Sequence, residues 1–170
     1  MSTQSSFVGD KALLIQLAGI TVFSPGYSLT VEYKDPNAVL DAIRSLLEAA
    51  PVISEASDGV EVTFHDWSGL RVLVPNGAPA SIAASVNLIG DVGITTDDGI
   101  EVGSTRASAI AAGARDVGEG ADSLGLDARE AEGTTSLTRA GEVGLDFLRL
   151  RVSNGAVAQI QAPASDYGDV

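Results

Sequence analysis

The chain of 170 residues contains no cysteine. Disulfides, thiolate nucleophiles, iron–sulfur clusters and thiolate metal sites are excluded together. Histidine, tryptophan and methionine occur once each, as His65, Trp67 and Met1, so a metal centre needing two imidazoles is excluded as well. Lysine is nearly absent, limited to Lys11 and Lys34, and arginine supplies the remaining cations. The 10 basic side chains face 23 acidic ones, a formal charge of -13 that repels phosphate backbones and anionic head groups. Nucleic acid is therefore not an expected partner. No apolar run reaches the roughly 18 residues that a bilayer-spanning helix needs. Residues 1–10 are small and polar, without the basic and apolar regions of a signal peptide, and read as a disordered tether.

Apolar residues make up 45% of the chain and charged ones 19%, enough to build a packed core. Residues 11–170 read as a single globular unit. Between Ala12 and Tyr33, short apolar runs broken at Gly19 and at Ser24-Pro25-Gly26 predict two or three antiparallel strands. Asp35-Pro36 is a helix-start signal, and Val39, Leu40, Ile43, Leu46 and Leu47 then recur at the spacing of one helical face. Pro51 marks its end. Val60, Val62 and Phe64 alternate with Glu61, Thr63 and His65, and Leu70, Val72 and Val74 alternate with Arg71 and Leu73. This predicts a hairpin that buries the Val62 and Phe64 face. A strand over residues 81–88, a hairpin over 93–102 turning at Asp97-Asp98-Gly99, and a second helix from Ser104 or Thr105 follow. That helix places Ala107, Ile110, Ala111, Ala114 and Val117 on one face. Residues 118–133, rich in Gly, Asp and Glu, read as a long mobile loop with at most one short strand. Asn154-Gly155 between two alternating runs is a strong hairpin signal.

The fold class expected is α+β, a mainly antiparallel sheet or sheets with two helices packed on one face. Strands, a helix and a hairpin occur in the same order in residues 11–78 and 79–170, so tandem repeats and a single unrepeated domain both stay open.

The segments Leu17–Phe23, Asp35–Ile43, Ser85–Gly90 and Asp98–Ser104, with the pair Asp66-Trp67, resemble the mature region of uncharacterised actinobacterial secreted lipoproteins. A looser similarity of layout connects the chain to β-lactamase-inhibitor-like and outer-membrane assembly lipoprotein folds. The resemblance implies an extracellular or cell-envelope domain, acylated on a cysteine upstream of Met1. It carries over no catalytic residue. A cytoplasmic location is the alternative.

The densest chemical cluster is His65, Asp66 and Trp67 at a hairpin tip. An exposed tryptophan there would anchor a partner, whereas a folded-back one would only cover the end of the sheet. Glu61 lies roughly 13 Å from His65 along the strand, too far to orient its ring, and the chain has no G-x-S-x-G elbow. Asp97, Asp98 and Glu101 form a calcium candidate, off the spacing of a calcium loop and equally readable as a solvated face. Gly118-Glu119-Gly120 opens like a dinucleotide loop, but Ser123 stands where a third glycine is required, and no cofactor is expected. Arg149 and Arg151, with Arg139, make the one basic stripe, for which a cross-strand ion pair is the simpler reading. The function expected is a non-enzymatic domain that binds a partner protein or envelope component. A carboxylate-based hydrolase assisted by His65 is one alternative. An acidic, immunity-like inhibitor of a basic partner is another.

Overall fold

The computed structural model describes residues 10–56, 59 and 61–168. The tether expected over the first ten residues lies outside these except for Asp10, as does Val60. Among the described residues the chain is α+β, with two sheets and two helices.

The first sheet has five strands: β1 (Lys11–Ile15), β2 (Gly19–Ser24), β3 (Tyr27–Glu32), β8 (Leu88–Ile89) and β9 (Val92–Thr96). Their order is β3-β2-β1-β9-β8, and the pairing of β1 with β9 is parallel. The second sheet is antiparallel and has seven: β4 (Val52–Glu55), β5 (Val62–Trp67), β6 (Leu70–Pro75), β7 (Ser81–Ala84), β10 (Ser123–Glu130), β11 (Leu145–Ser153) and β12 (Ala156–Ser165). Its order is β10-β11-β12-β7-β6-β5-β4. Each half of the chain thus runs three strands, a helix, three strands. The pairing does not repeat, because β7 joins β6 across the 78/79 boundary and β9 joins β1.

Helix α1 (Pro36–Leu47) forms where the sequence places it: the Asp35 side chain accepts from the Ala38 N–H, and Pro36 occupies the first turn. Glu48 ends it in a left-handed conformation. Val39, Leu40, Ile43 and Leu46 are buried, a gross gain on the order of 8 kcal/mol before chain entropy is subtracted. The helix packs on β2 and β3. Helix α2 (Arg106–Ala111), capped by Thr105, packs against β12, so the two helices serve different sheets. It is shorter than its alanine pattern suggests. Ala109 is the residue it buries, while Ile110, expected inside, is exposed.

Three further expectations are corrected. The run after Ser81 breaks at Ser85, and its end becomes β8 in the other sheet. The hairpin over 93–102 forms its turn, with Gly99 N–H donating to Thr96 O, but no second strand; β9 pairs with β8 and β1 instead. The loop expected over 118–133 contains β10, whose Leu124 and Leu126 are fully buried. Gly125 between them disguises the strand in sequence. A Cβ there would lie 2.5 Å from Val117 Cγ1, so its missing side chain is what admits Val117 against the sheet.

One core draws residues from both sheets and α1, including Leu13, Ile43, Trp67 and Leu148. A smaller cluster of Val117, Leu145, Phe147 and Ala164 lies beside it.

Candidate functional site

The β5–β6 hairpin turns through Ser68 and Gly69, both at positive φ. A two-residue turn fixes the register, setting Trp67 opposite Leu70, His65 opposite Val72 and Thr63 opposite Val74. Because side chains alternate, burying Leu70 and Val72 carries Trp67 and His65 inward and turns Phe64 outward. The face expected to be buried is therefore the wrong one. Phe64 is instead covered by the Arg71 guanidinium, 4.8 Å from its ring centroid. Arg71 in turn holds Asp66 through Nε at 2.7 Å and Nη2 at 3.1 Å.

The tryptophan at the hairpin tip is therefore folded back and not exposed. Trp67 is 4% exposed, and its indole N–H donates to Ala49 O at 3.0 Å, just past α1. Asp66 is occupied by Arg71. His65 is buried, with Nε2 3.2 Å from Thr63 Oγ1. The Thr63 hydroxyl also lies 3.4 Å from Val74 O, and His65 Nδ1 is buried without a hydrogen-bond partner among the described residues. Burial and the nearby Arg44 push its pKa down, against the pull of Asp66. Among the described residues its ring bonds to no hydroxyl other than that of Thr63.

The calcium candidates do not converge. Among the described residues no three His, Asp or Glu side chains are placed to hold a metal ion. Asp97 turns toward Gln16, whose Nε2 donates to it at 3.0 Å. Burial raises the pKa of Glu101. Asp98 faces Asp127 of β10, a residue that sequence reasoning put in a mobile loop. The arginine stripe also separates. Arg149 makes a two-pronged pair with Glu119, at 2.8 and 2.6 Å, and Arg139 reaches the buried Asp166. Neither is a cross-strand ion pair, because both acids lie outside the strands.

A cleft lies where the start of α1 diverges from the open end of the β5–β6 hairpin. This cleft encloses about 930 Å³. Its polar lining is Lys34, Asn37, Glu55, Glu61, Thr63 and Asn76, with Val62, Val74 and Pro79 among the apolar groups. Lys34 is already paired with Glu32 at 2.7 Å, whereas Glu55 has no ion partner among the described residues. The lining is therefore net acidic.

Strand β4, which sequence reasoning missed, runs into this cleft through Glu55 and Ala56. Among the described residues it is the outer strand of its sheet, paired only with β5. Val52 is 71% exposed and Ile53 57%, on opposite faces of the strand, so among the described residues neither face nor the outer edge is covered. An edge of this kind offers unpaired backbone N–H and C=O groups to another strand. A β-branched pair directly after Pro51 was the available signal.

No described helix is long and apolar enough to cross a membrane. Compared with protein-family models, curated proteins and solved structures, the chain matches none.

Proposed function

We propose that this chain is a non-enzymatic binding domain of the cell envelope that takes up an extended, basic segment of a partner protein. The segment adds as a strand to β4, and a lysine or arginine enters the cleft between Glu55 and Glu61. The observation that carries this reading is the continuity of an uncovered edge strand with an acid-lined cleft of about 930 Å³. Backbone pairing along β4 supplies affinity that is blind to sequence, while the acids select for a cation. The formal charge of -13 speeds encounter with a basic partner and opposes pairing of β4 with a second copy. The envelope location is supported by the lipoprotein resemblance of Asp35–Ile43 and Asp98–Ser104.

Titration of the labelled protein with a capped Lys-Val-Thr-Val-Lys peptide, followed by amide NMR, tests the binding reading. Shifts are expected at residues 52–56 and 61–63, weakened by salt and lost in the Glu55→Lys/Glu61→Lys variant. Equal shifts with the Glu-Val-Thr-Val-Glu peptide, or none at β4, would overturn it. Recovery of the native gene product in the cytosolic fraction would overturn the location.

A further inference from the structure

The pairing of β4 with β5 decides which backbone groups of β4 are free. Ala56 N–H donates to Val62 O at 3.0 Å, so the N–H and C=O of Ala56 turn toward β5. In an antiparallel pair these groups change sides at every residue. Those of Ser54 and Val52 therefore also turn toward β5, and those of Ile53 and Glu55 turn away from it. Among the described residues nothing pairs with β4 on that outer side. The free edge thus offers the N–H and C=O of Ile53 and of Glu55.

The same two residues share one face of the sheet. Ile53 stands opposite His65, and Glu55 stands opposite Thr63, which lines the cleft. Ile53 is 57% exposed although His65 beside it is buried, since among the described residues no strand lies beyond β4. The other face is different. Ser54 stands opposite Phe64 and Val52 opposite Asp66, and Arg71 covers the phenyl ring and binds the carboxylate. A residue of an added strand that bonds to Ile53 or Glu55 carries its side chain on the cleft face, beside an apolar neighbour in the first case and an acid in the second. The residue between them turns to the opposite face, beside Ser54.

We propose that this edge selects both the direction and the pattern of its partner. The partner runs antiparallel to β4 and carries, from its N-terminal side, a lysine or arginine opposite Glu55, any residue opposite Ser54, and a β-branched apolar residue opposite Ile53. The proposal rests on the strand addition proposed above and adds to it the polarity of the partner and Ile53 as the residue that determines specificity. Glu55 and Glu61 set the cation at the cleft end of β4, and the exposed Ile53 sets the apolar residue two positions further on. Antiparallel addition continues a sheet whose described pairings are all antiparallel. Its bonds lie perpendicular to the strands and are stronger than the slanted bonds of a parallel pair, a difference that decides the direction where so few groups are free.

The test titrates the whole labelled chain with three capped peptides of equal charge and composition, followed by amide NMR at residues 52–56. Thr-Lys-Thr-Ile-Thr satisfies the antiparallel pattern. Its reverse, Thr-Ile-Thr-Lys-Thr, satisfies the same pattern run parallel, and Thr-Lys-Ile-Thr-Thr turns the isoleucine to the Ser54 face. The first should bind about fivefold more tightly than either of the others, the upper end of what an apolar cross-strand pair contributes. Ile53→Thr should reduce the first peptide to the level of the third; if that variant does not fold, the ranking of the three on the native chain decides. The Lys-Val-Thr-Val-Lys peptide reads the same in both directions and separates the two proposals. If it shifts β4 while the three peptides bind alike, or while the reverse peptide binds best, strand addition stands and its direction and pattern are overturned. No shift at β4 with any peptide overturns both, as do shifts at residues 52–56 that grow with protein concentration in the absence of peptide, which would put a second copy on the edge.

Discussion

Asp166 gives the sharpest energetic test of the described architecture. Its side chain is 0% exposed, yet it is ionised and saturated with donors. Oδ1 accepts from Leu145 N–H at 2.6 Å, and Oδ2 accepts from Ser136 Oγ at 2.7 Å and Arg139 Nε at 3.2 Å. Arg139 also reaches Glu142 and the Val143 carbonyl, so this one carboxylate ties the 134–144 segment to the start of β11. Asp166→Ala leaves the Leu145 amide and the Ser136 hydroxyl without an acceptor and Arg139 short of one anion. Breaking a buried pair costs about 3–5 kcal/mol. Arg139 is 23% exposed, so water compensates part of its loss and the lower end, about 3 kcal/mol, applies. Asp166→Asn keeps an acceptor for Leu145 but turns an N–H toward Arg139, and about 2 kcal/mol is expected.

At roughly 2–4 °C per kcal/mol for a chain of this size, the alanine variant should melt about 6–12 °C lower. Urea unfolding and thermal circular dichroism measure both. Burial alone would raise the Asp166 pKa, but the Leu145 amide, Ser136 and Arg139 together outweigh it and hold the pKa below the ordinary carboxylate value. This stabilisation is therefore present above the unfolded value of about 4 and is lost as pH falls through the lower native value. The alanine variant should show a flatter acid limb. A cost below about 1 kcal/mol, or an asparagine variant as damaged as the alanine one, would refute the account of Asp166 as a charged node.

Two further predictions concern β5. Trp67→Phe removes the indole bond to Ala49 O and leaves a gap beneath α1, so urea unfolding should show a loss of about 1–2 kcal/mol with the fold retained. Burial and Arg44 push the His65 pKa down, against the pull of Asp66. Its depressed pKa contributes stability that is present above the unfolded value of about 6.5 and lost as pH falls through the native one. His65→Leu should remove this loss; because every other titratable group is common to both proteins, the difference between their stability curves from pH 7.5 to pH 5 isolates the imidazole. Parallel curves would show that His65 does not titrate on folding.

Local signals explain which elements were legible. Asp35-Pro36 and the spacing of Val39, Leu40, Ile43 and Leu46 define α1 because capping and helical periodicity act within a few residues. The β2–β3 turn at Pro25-Gly26 and the β11–β12 turn at Asn154-Gly155 are legible for the same reason. The inward face of β5 is a different case. Period two allows either Val62 and Phe64 or Thr63, His65 and Trp67 to be buried, and composition favours the first. The partner strand decides: the turn at Ser68-Gly69 pairs 65 with 72 and 67 with 70, and the larger gain from burying Leu70, Val72 and Trp67 forces the one histidine inside. That register was computable from the turn, so the miss was one of arithmetic.

Strand β10 was legible only as one short strand inside a long loop, and its eight-residue length and the bulge at Asp127 were not, for a reason that no local arithmetic repairs. Gly125 and the surrounding acids lower the strand propensity of the segment, and only the packing of Val117 and Phe147 over Gly125 makes it a strand. The same logic governs the β4 edge. Val52 and Ile53 differ from core strand residues only in having no neighbour beyond them, a property of sheet order and not of the residues. In this chain the helix could be read from the sequence, whereas the edge and the cleft arise from which strand lies beside which. Residues that look ordinary in sequence acquire their chemistry there, and the conspicuous ones, His65 and Trp67, are spent on the core.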